Sequence, residues 1–196
     1  MKPLRLALLG STKGTDMLAL IEAIQQKQLH ASIELVISDQ AQALILTRAW
    51  ERNLTALFID PQGKTREVFE QKINVALEQA QIDLIILIGF MRILSPSFVT
   101  QWKEKMINVH PSLLPAFAGG IDKDVHQAVL NARVQESGCT VHYVTEHVDQ
   151  GPILVQKKCA VLAEDTIDSL KARVQALEGQ ALIEAIHRIH TPLVEI

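Results

Sequence analysis

Apolar residues fall along this chain in short blocks, separated by polar turns and by stretches of helical period. Leu4–Leu9 is an apolar run that stops at Gly10-Ser11-Thr12-Lys13-Gly14-Thr15-Asp16, after which Met17, Leu18, Ile21 and Ile24 recur at helical spacing. That order predicts a strand, a polar turn and a helix. The pattern repeats: residues 33–37 predict a strand, 41–52 a helix, 57–59 a strand, and 65–80 a helix with Thr65 as its N-cap and Glu67 in its first turn. Residues 84–88 form an unbroken aliphatic run. Such runs suit strands covered on both faces, so this one is expected to be central.

Four strand-then-helix units joined by short connections call for a parallel sheet with right-handed crossovers. Met106–His110 predicts a fifth strand, and beyond it the pattern changes. Residues 111–120 predict a loop by their proline and glycine content, and the two prolines push His110 and Leu114 into extended backbone. A helix is expected at 122–132. Runs at 139–145 and 153–161 read as two strands that extend the sheet in antiparallel or mixed fashion. A last helix spans 166–190, starting at Asp165 or Thr166 and ending on His187, Arg188 and His190, whose charge complements the dipole. The expected fold is therefore α/β: a single doubly wound, mostly parallel, Rossmann-like sheet with a C-terminal antiparallel extension and a long terminal helix.

Composition narrows this further. The 196 residues suit one compact domain, and 48% apolar with 21% charged residues is close to the globular average. Only 4% are aromatic, so the core must be mostly Leu, Ile, Val and Ala. With a formal charge of −3 there is no cationic excess to draw nucleic acid or an acidic membrane, and an anionic ligand requires a local site. No apolar run approaches the roughly 20 residues of a membrane span. Two cysteines, Cys139 and Cys159, in a chain with no recognisable leader, suggest a reduced, cytoplasmic setting. Neither they nor the histidines show metal-ligand spacing, so no metal is expected.

Three constellations carry candidate chemistry. The turn at 10–16 opens a helix, and exposed N–H groups at such an end suit a phosphate, although its spacing fits neither GxGxxG nor a P-loop. An ordinary strand-to-helix turn with Asp16 as N-cap explains it equally well. Asn108 and His110 lie two apart on the fifth strand, on one face at its carboxyl end, where open parallel sheets bind ligands. An amide can stabilise an oxyanion and an imidazole can move a proton, although a capped strand end accounts for most Asn-x-His pairs. Asp149 sits in the loop between the last two strands, where its carboxylate can favour an imidazolium or merely serve a turn ahead of Gly151-Pro152. Thr140 and His142 alternate onto one strand face, lining the same pocket or facing solvent.

Three segments in this order carry a resemblance: Gly89-Phe90-Met91-Arg92-Ile93-Leu94-Ser95-Pro96, Asn108-Val109-His110-Pro111-Ser112-Leu113-Leu114-Pro115, and Asp149-Gln150-Gly151-Pro152-Ile153. Together they resemble the folate-dependent formyltransferases over essentially the whole chain, most closely the branch that formylates glycinamide ribonucleotide in purine synthesis. The resemblance implies a catalytic set of Asn108, His110 and Asp149, with Asp149 keeping the His110 imidazole charged and oriented. It implies that Gly14, Thr15 and Asp16 hold the phosphate of glycinamide ribonucleotide and that Glu178 contacts its ribose or amine side. It further implies that Met91, Arg92, Ile93 and Leu94, with Asn108 and the loop 145–149, enclose 10-formyltetrahydrofolate, and that Arg66 meets its carboxylate tail.

Residues 1–110 would form the nucleotide-side half and 111–196 the folate-side loops, extra strands and last helix of one domain. The state implied is a monomer or homodimer acting on small molecules, with no nucleic-acid or membrane partner.

The chain departs from the usual family pattern in two places. Ser11-Thr12-Lys13-Gly14-Thr15-Asp16 replaces a Ser-Gly-x-Gly-Ser-Asn loop, putting a carboxylate where an amide is common. Asp16 would then have to turn back and cap the helix, with Lys13 offsetting its charge. Residues 117–124 replace a segment that usually holds Pro-Gly and histidine. Formyltetrahydrofolate hydrolase and methionyl-tRNA formyltransferase share the three residue types but usually carry another domain, whereas here only residues 191–196 follow the last helix. A non-catalytic ligand-binding α/β domain is the alternative from another class, and retention of all three residue types argues against it.

Overall fold

The computed structural model describes residues 2–120 and 123–190. In chain order its elements are β1 (Leu4–Leu9), α1 (Thr15–Gln25), β2 (Ala31–Ser38), α2 (Leu44–Trp50), β3 (Ala56–Phe58), α3 (Arg66–Gln79), β4 (Leu84–Leu87), α4 (Pro96–Gln101), β5 (Met106–His110), α5 (Lys123–Ala132), β6 (Glu136–Tyr143), β7 (Ile153–Ala160) and α6 (Ile167–His190). The strands form one sheet in the order β3-β2-β1-β4-β5-β6-β7, so the aliphatic run at β4 is the middle strand. β1 pairs in parallel with both β2 and β4, and β4 with β5, whereas β6 runs antiparallel to β5 and β7 antiparallel to β6. This is the predicted doubly wound sheet with its antiparallel extension.

Side-chain alternation divides the core between the two faces. Leu6 and Leu8 of β1 and Leu84 and Ile86 of β4 pack with α1, α2 and α6, while Ala7, Leu9, Ile85 and Leu87 pack with α3 and α4. Both faces of β4 are thus covered, which is why its sequence has no polar position. On β5, Ile107 and Val109 belong to the first layer and Met106 to the second, so Asn108 and His110 project toward the α3/α4 side. Their strand ends beside the point where chain order reverses between β1 and β4, the crevice in which sheets of this kind hold ligands.

Several local expectations shift by a few residues. α2 begins at Leu44 rather than 41, and β6 starts at Glu136, three residues before the expected run. The expected start of α5 at Asp122 lies outside the described residues, as does the tail 191–196. The hydrophobic pattern does not predict α4, because six residues carry too little period. Its start was nonetheless marked by Ser95-Pro96: Ser95 Oγ accepts a hydrogen bond from the Phe98 N–H at 3.2 Å, with proline in the first turn. At α6, which begins at Ile167, the choice between Asp165 and Thr166 resolves to Thr166 as the cap. Thr166 Oγ1 accepts from the Ser169 N–H at 3.1 Å, while Asp165 takes a bidentate bond from Arg173 at 2.6 and 2.9 Å.

Candidate active site

Asn108 and His110 reach the carboxyl edge of the sheet opposite His142 and Thr140 of β6, their register partners. Pairing across an antiparallel ladder brings side chains on one face within reach of each other. The His142 Nδ1–H donates to the Tyr143 carbonyl at 2.9 Å, which leaves Nε2 to accept from the Asn108 amide at 3.2 Å. That sets the Asn108 amide orientation: its NH₂ faces the imidazole. Thr140, fully buried, does not line the cleft. Its hydroxyl donates to the Ser112 carbonyl at 2.6 Å and accepts from Leu114 N–H at 3.0 Å, pinning the proline-rich loop beside His110.

Asp149 closes the group from the β6–β7 loop. Its Oδ2 lies 3.3 Å from His110 Nδ1 and accepts the Gly119 N–H at 2.8 Å, and its Oδ1 lies 3.5 Å from His142 Nε2. The loop can bring it there because Asp149 adopts a left-handed backbone, φ 57, and because position 151 is glycine. A Cβ on Gly151 would sit 1.7 Å from the Tyr143 carbonyl oxygen. His110 Nε2 is 3.1 Å from the carbonyl of Phe117, itself at φ 60, so both ring nitrogens face acceptors.

The charges do not settle as the sequence suggested. Burial pushes the His110 imidazole below its ordinary pKa, and the neighbouring Asp149 carboxylate and Phe117 carbonyl recover only part of the loss. In the free protein burial thus works against the imidazolium that Asp149 would hold charged. Burial raises the Asp149 carboxyl, but the nearby His142 ring, the Gly119 N–H and the His110 ring outweigh it, leaving Asp149 below its usual range.

Met91, Arg92, Ile93 and Leu94 line one wall of the cleft that ends on Asn108, His110 and Asp149, and Thr145, Glu146 and Val148 line the opposite rim. The space is about 210 Å³. The same four residues continue into a groove beside Lys64, Arg66 and Phe69, so Arg66 stands at the far end of a connected surface. Arg66 itself is exposed at the first position of α3.

The third group, around the β1–α1 turn, lies on the other side of the sheet. Gly14 is the N-cap of α1 in left-handed conformation, φ 63, and no side chain caps the helix. Asp16 does not turn back to do so. It is buried in the helix with 6% of its surface exposed, hydrogen-bonded to Glu178 of α6, and burial raises its pKa to about 7. Close approach of α1 and α6 makes this possible, since a Cβ on Gly179 would stand 2.5 Å from that of Ala19. Structure thus joins Asp16 to Glu178 and leaves Gly14 and Thr15 at the bare helix end, with Thr15 exposed. Among the described residues, no three His, Cys, Asp or Glu are grouped to hold a metal ion, and no helix is long and apolar enough to cross a membrane.

Fold and site define a doubly wound α/β protein with an amide, two imidazoles and a carboxylate gathered at the sheet's carboxyl edge. The profile of the formyl transferase family matches residues 4–186, and the chain belongs to that family. It is 40% identical over 185 residues to the trifunctional purine biosynthetic protein adenosine-3 of Drosophila melanogaster, covering 93% of this chain but 14% of that one. The chain thus spans under a fifth of the length of such trifunctional relatives. Phosphoribosylglycinamide formyltransferase of Escherichia coli is 34% identical over 176 residues, 89% of this chain and 82% of that protein. Among solved structures, phosphoribosylglycinamide formyltransferase from Brucella melitensis superposes with a TM-score of 0.90 at 36% identity, covering 98% of each chain.

His142 joins the site without belonging to the expected catalytic set. Its strand alternation was the available signal, and its register partner Asn108 supplies the reason it belongs there.

Proposed function

We propose that the protein transfers the formyl group of 10-formyltetrahydrofolate to the primary amine of glycinamide ribonucleotide in de novo purine synthesis. The observation that carries this reading is the convergence of Asn108, His110, His142 and Asp149 at one end of a cleft with an apolar wall. An amide N–H, an imidazole that starts neutral and a carboxylate behind it are what transfer of an acyl carbon between two nitrogens requires.

In the proposed mechanism, substrate takes the place of the Phe117 carbonyl at His110 Nε2. The amine attacks the formyl carbon, and the Asn108 Nδ2–H donates to the oxygen as it becomes anionic. His110 accepts the proton lost by the amine, Asp149 stabilises the resulting imidazolium, and the proton passes to the departing folate nitrogen as its bond to carbon breaks. No covalent link to the protein is formed. Met91 to Leu94 would cover the flat ring system of the folate, with Arg66 toward its carboxylate tail. The bare N-terminus of α1 at Gly14 and Thr15 would take the phosphate of the acceptor, and Asp16 with Glu178 its ribose side. Burial, by lifting the Asp16 carboxyl to about 7, lessens the negative charge set against a phosphate there.

Incubation with both substrates, following deformylated folate by absorbance, tests the reading. Formyl transfer to the amine is expected. Equal folate release with water as sole acceptor would instead make the protein a hydrolase.

A further inference from the structure

Asp39, just beyond the end of β2, takes no part in the chemistry above, yet its side chain is 2% exposed and joins two loops assigned to different substrates. Its Oδ1 accepts the Ser11 hydroxyl at 2.6 Å. Ser11 has a single O–H, and with that proton committed its oxygen is free to accept the Met91 N–H, 2.9 Å away. The Ser11 N–H also donates to the Gly89 carbonyl at 3.0 Å, and a Cβ on Gly89 would come within 3.0 Å of Thr12 Oγ1, so the two loops are in contact. On its other side Asp39 Oδ2 faces Arg92 Nε at 3.7 Å, and the Arg92 guanidinium lies 5.1 Å over the Phe69 ring.

We infer that Asp39 is a positioning residue that couples the two substrate sites, a role that rests on the functional reading above. Arg92 and Met91 belong to the wall of the folate cleft; Ser11 belongs to the turn that opens α1. A ligand that draws Arg92 forward loosens its hold on Asp39. The carboxylate then keeps only Ser11 on Oδ1 and the neighbouring Gln40 amide, 3.2 Å from Oδ2, and Ser11 sets the turn leading to Gly14. Because the carboxylate can only accept, it fixes the direction of the whole relay, which an amide at this position would not. Coupling between binding sites is reciprocal, so each substrate must change the other's affinity by one and the same factor.

Calorimetry with glycinamide ribonucleotide and tetrahydrofolate, each titrated with and without saturating amounts of the other, reads that factor directly. In the unaltered protein the two affinities are expected to depend on each other by about fivefold or more. In Asp39→Ala and in Ser11→Ala the factor should fall toward one, while each ligand alone still binds the Asp39→Ala protein within about threefold of normal. Asp39→Asn, which preserves shape, should also lose coupling and guards against a folding defect in the alanine variant. A factor near one in the unaltered protein, or an unchanged factor in all three variants, overturns the inference. Failure of either ligand to bind the unaltered protein would instead overturn the functional reading.

Discussion

Replacing Asp149 with asparagine isolates its charge from its shape. Asparagine keeps an oxygen that can accept the Gly119 N–H, so the loop contact at 2.8 Å can survive. What disappears is a full negative charge 3.3 Å from His110 Nδ1. At that distance, with an effective dielectric near 20, opposite unit charges attract by about 5 kcal/mol, an upper figure because part is offset by solvation. Each 1.4 kcal/mol of lost transition-state stabilisation is about tenfold in rate, so the charge accounts for at most about 3–4 decades. Proton transfer by a positioned group is worth about 10²–10⁴, which agrees.

Asp149→Asn should therefore lower kcat by about 10²–10⁴, measured by folate absorbance at saturating substrates. The pH profile should move as well. Asp149 is the leading influence that raises the His110 pKa, so without it burial pulls the imidazole lower still. The limb of the kcat–pH curve governed by His110 should shift to lower pH. A loss under tenfold, or a limb at unchanged pH, would refute the role given to the carboxylate.

Other outcomes follow from the remaining geometry. Arg66→Ala should raise KM for formyl folate by about 10- to 100-fold with kcat nearly unchanged, as expected for loss of one charge-assisted bond in steady-state kinetics. Burial lifts Asp16 from 3.8 to about 7, so the folded protein holds a proton the unfolded chain releases, and the stability this gives is lost as pH rises from about 4 to about 7. Asp16→Asn should consequently raise Tm by about 2–8 °C at pH 8 and change it little at pH 4, by scanning calorimetry. Glu70, 3% exposed, accepts the Ser95 N–H at 2.7 Å and the Ser95 hydroxyl. Glu70→Ala leaves that buried N–H unpaired, and denaturant titration should show a loss of about 1–3 kcal/mol, largely restored in Glu70→Gln.

Sequence pattern alone located strands β1 to β5 because each is an apolar run closed by a polar turn, and it picked out β4 as central because nothing polar interrupts it. Asn108 and His110 were legible at the carboxyl end of a predicted strand, whereas Asp149 stood out only through the family resemblance of residues 149–153. What escaped were features made by residues remote in the chain. The state of His110 depends on burial by a loop that sequence treats as irregular. Asp16 reads as a cap until the close approach of Gly179 and Ala19 brings Glu178 beside it. Asp39 is an unremarkable turn residue until Ser11, 28 positions earlier, donates to it.

The bare start of α1 is guarded by a residue of the neighbouring helix α2. A Cβ on Gly14 would lie 2.4 Å from Ile45 Cγ1, so any side chain introduced there, including one able to cap the helix, collides with α2. Capping commonly adds about 1 kcal/mol, and this chain forgoes it. Stabilising substitutions at position 14 are therefore closed to the protein unless position 45 shrinks at the same time. Two changes, each harmful alone, separate this sequence from one with a sealed helix end. The helix end is kept open by packing, not by chemistry.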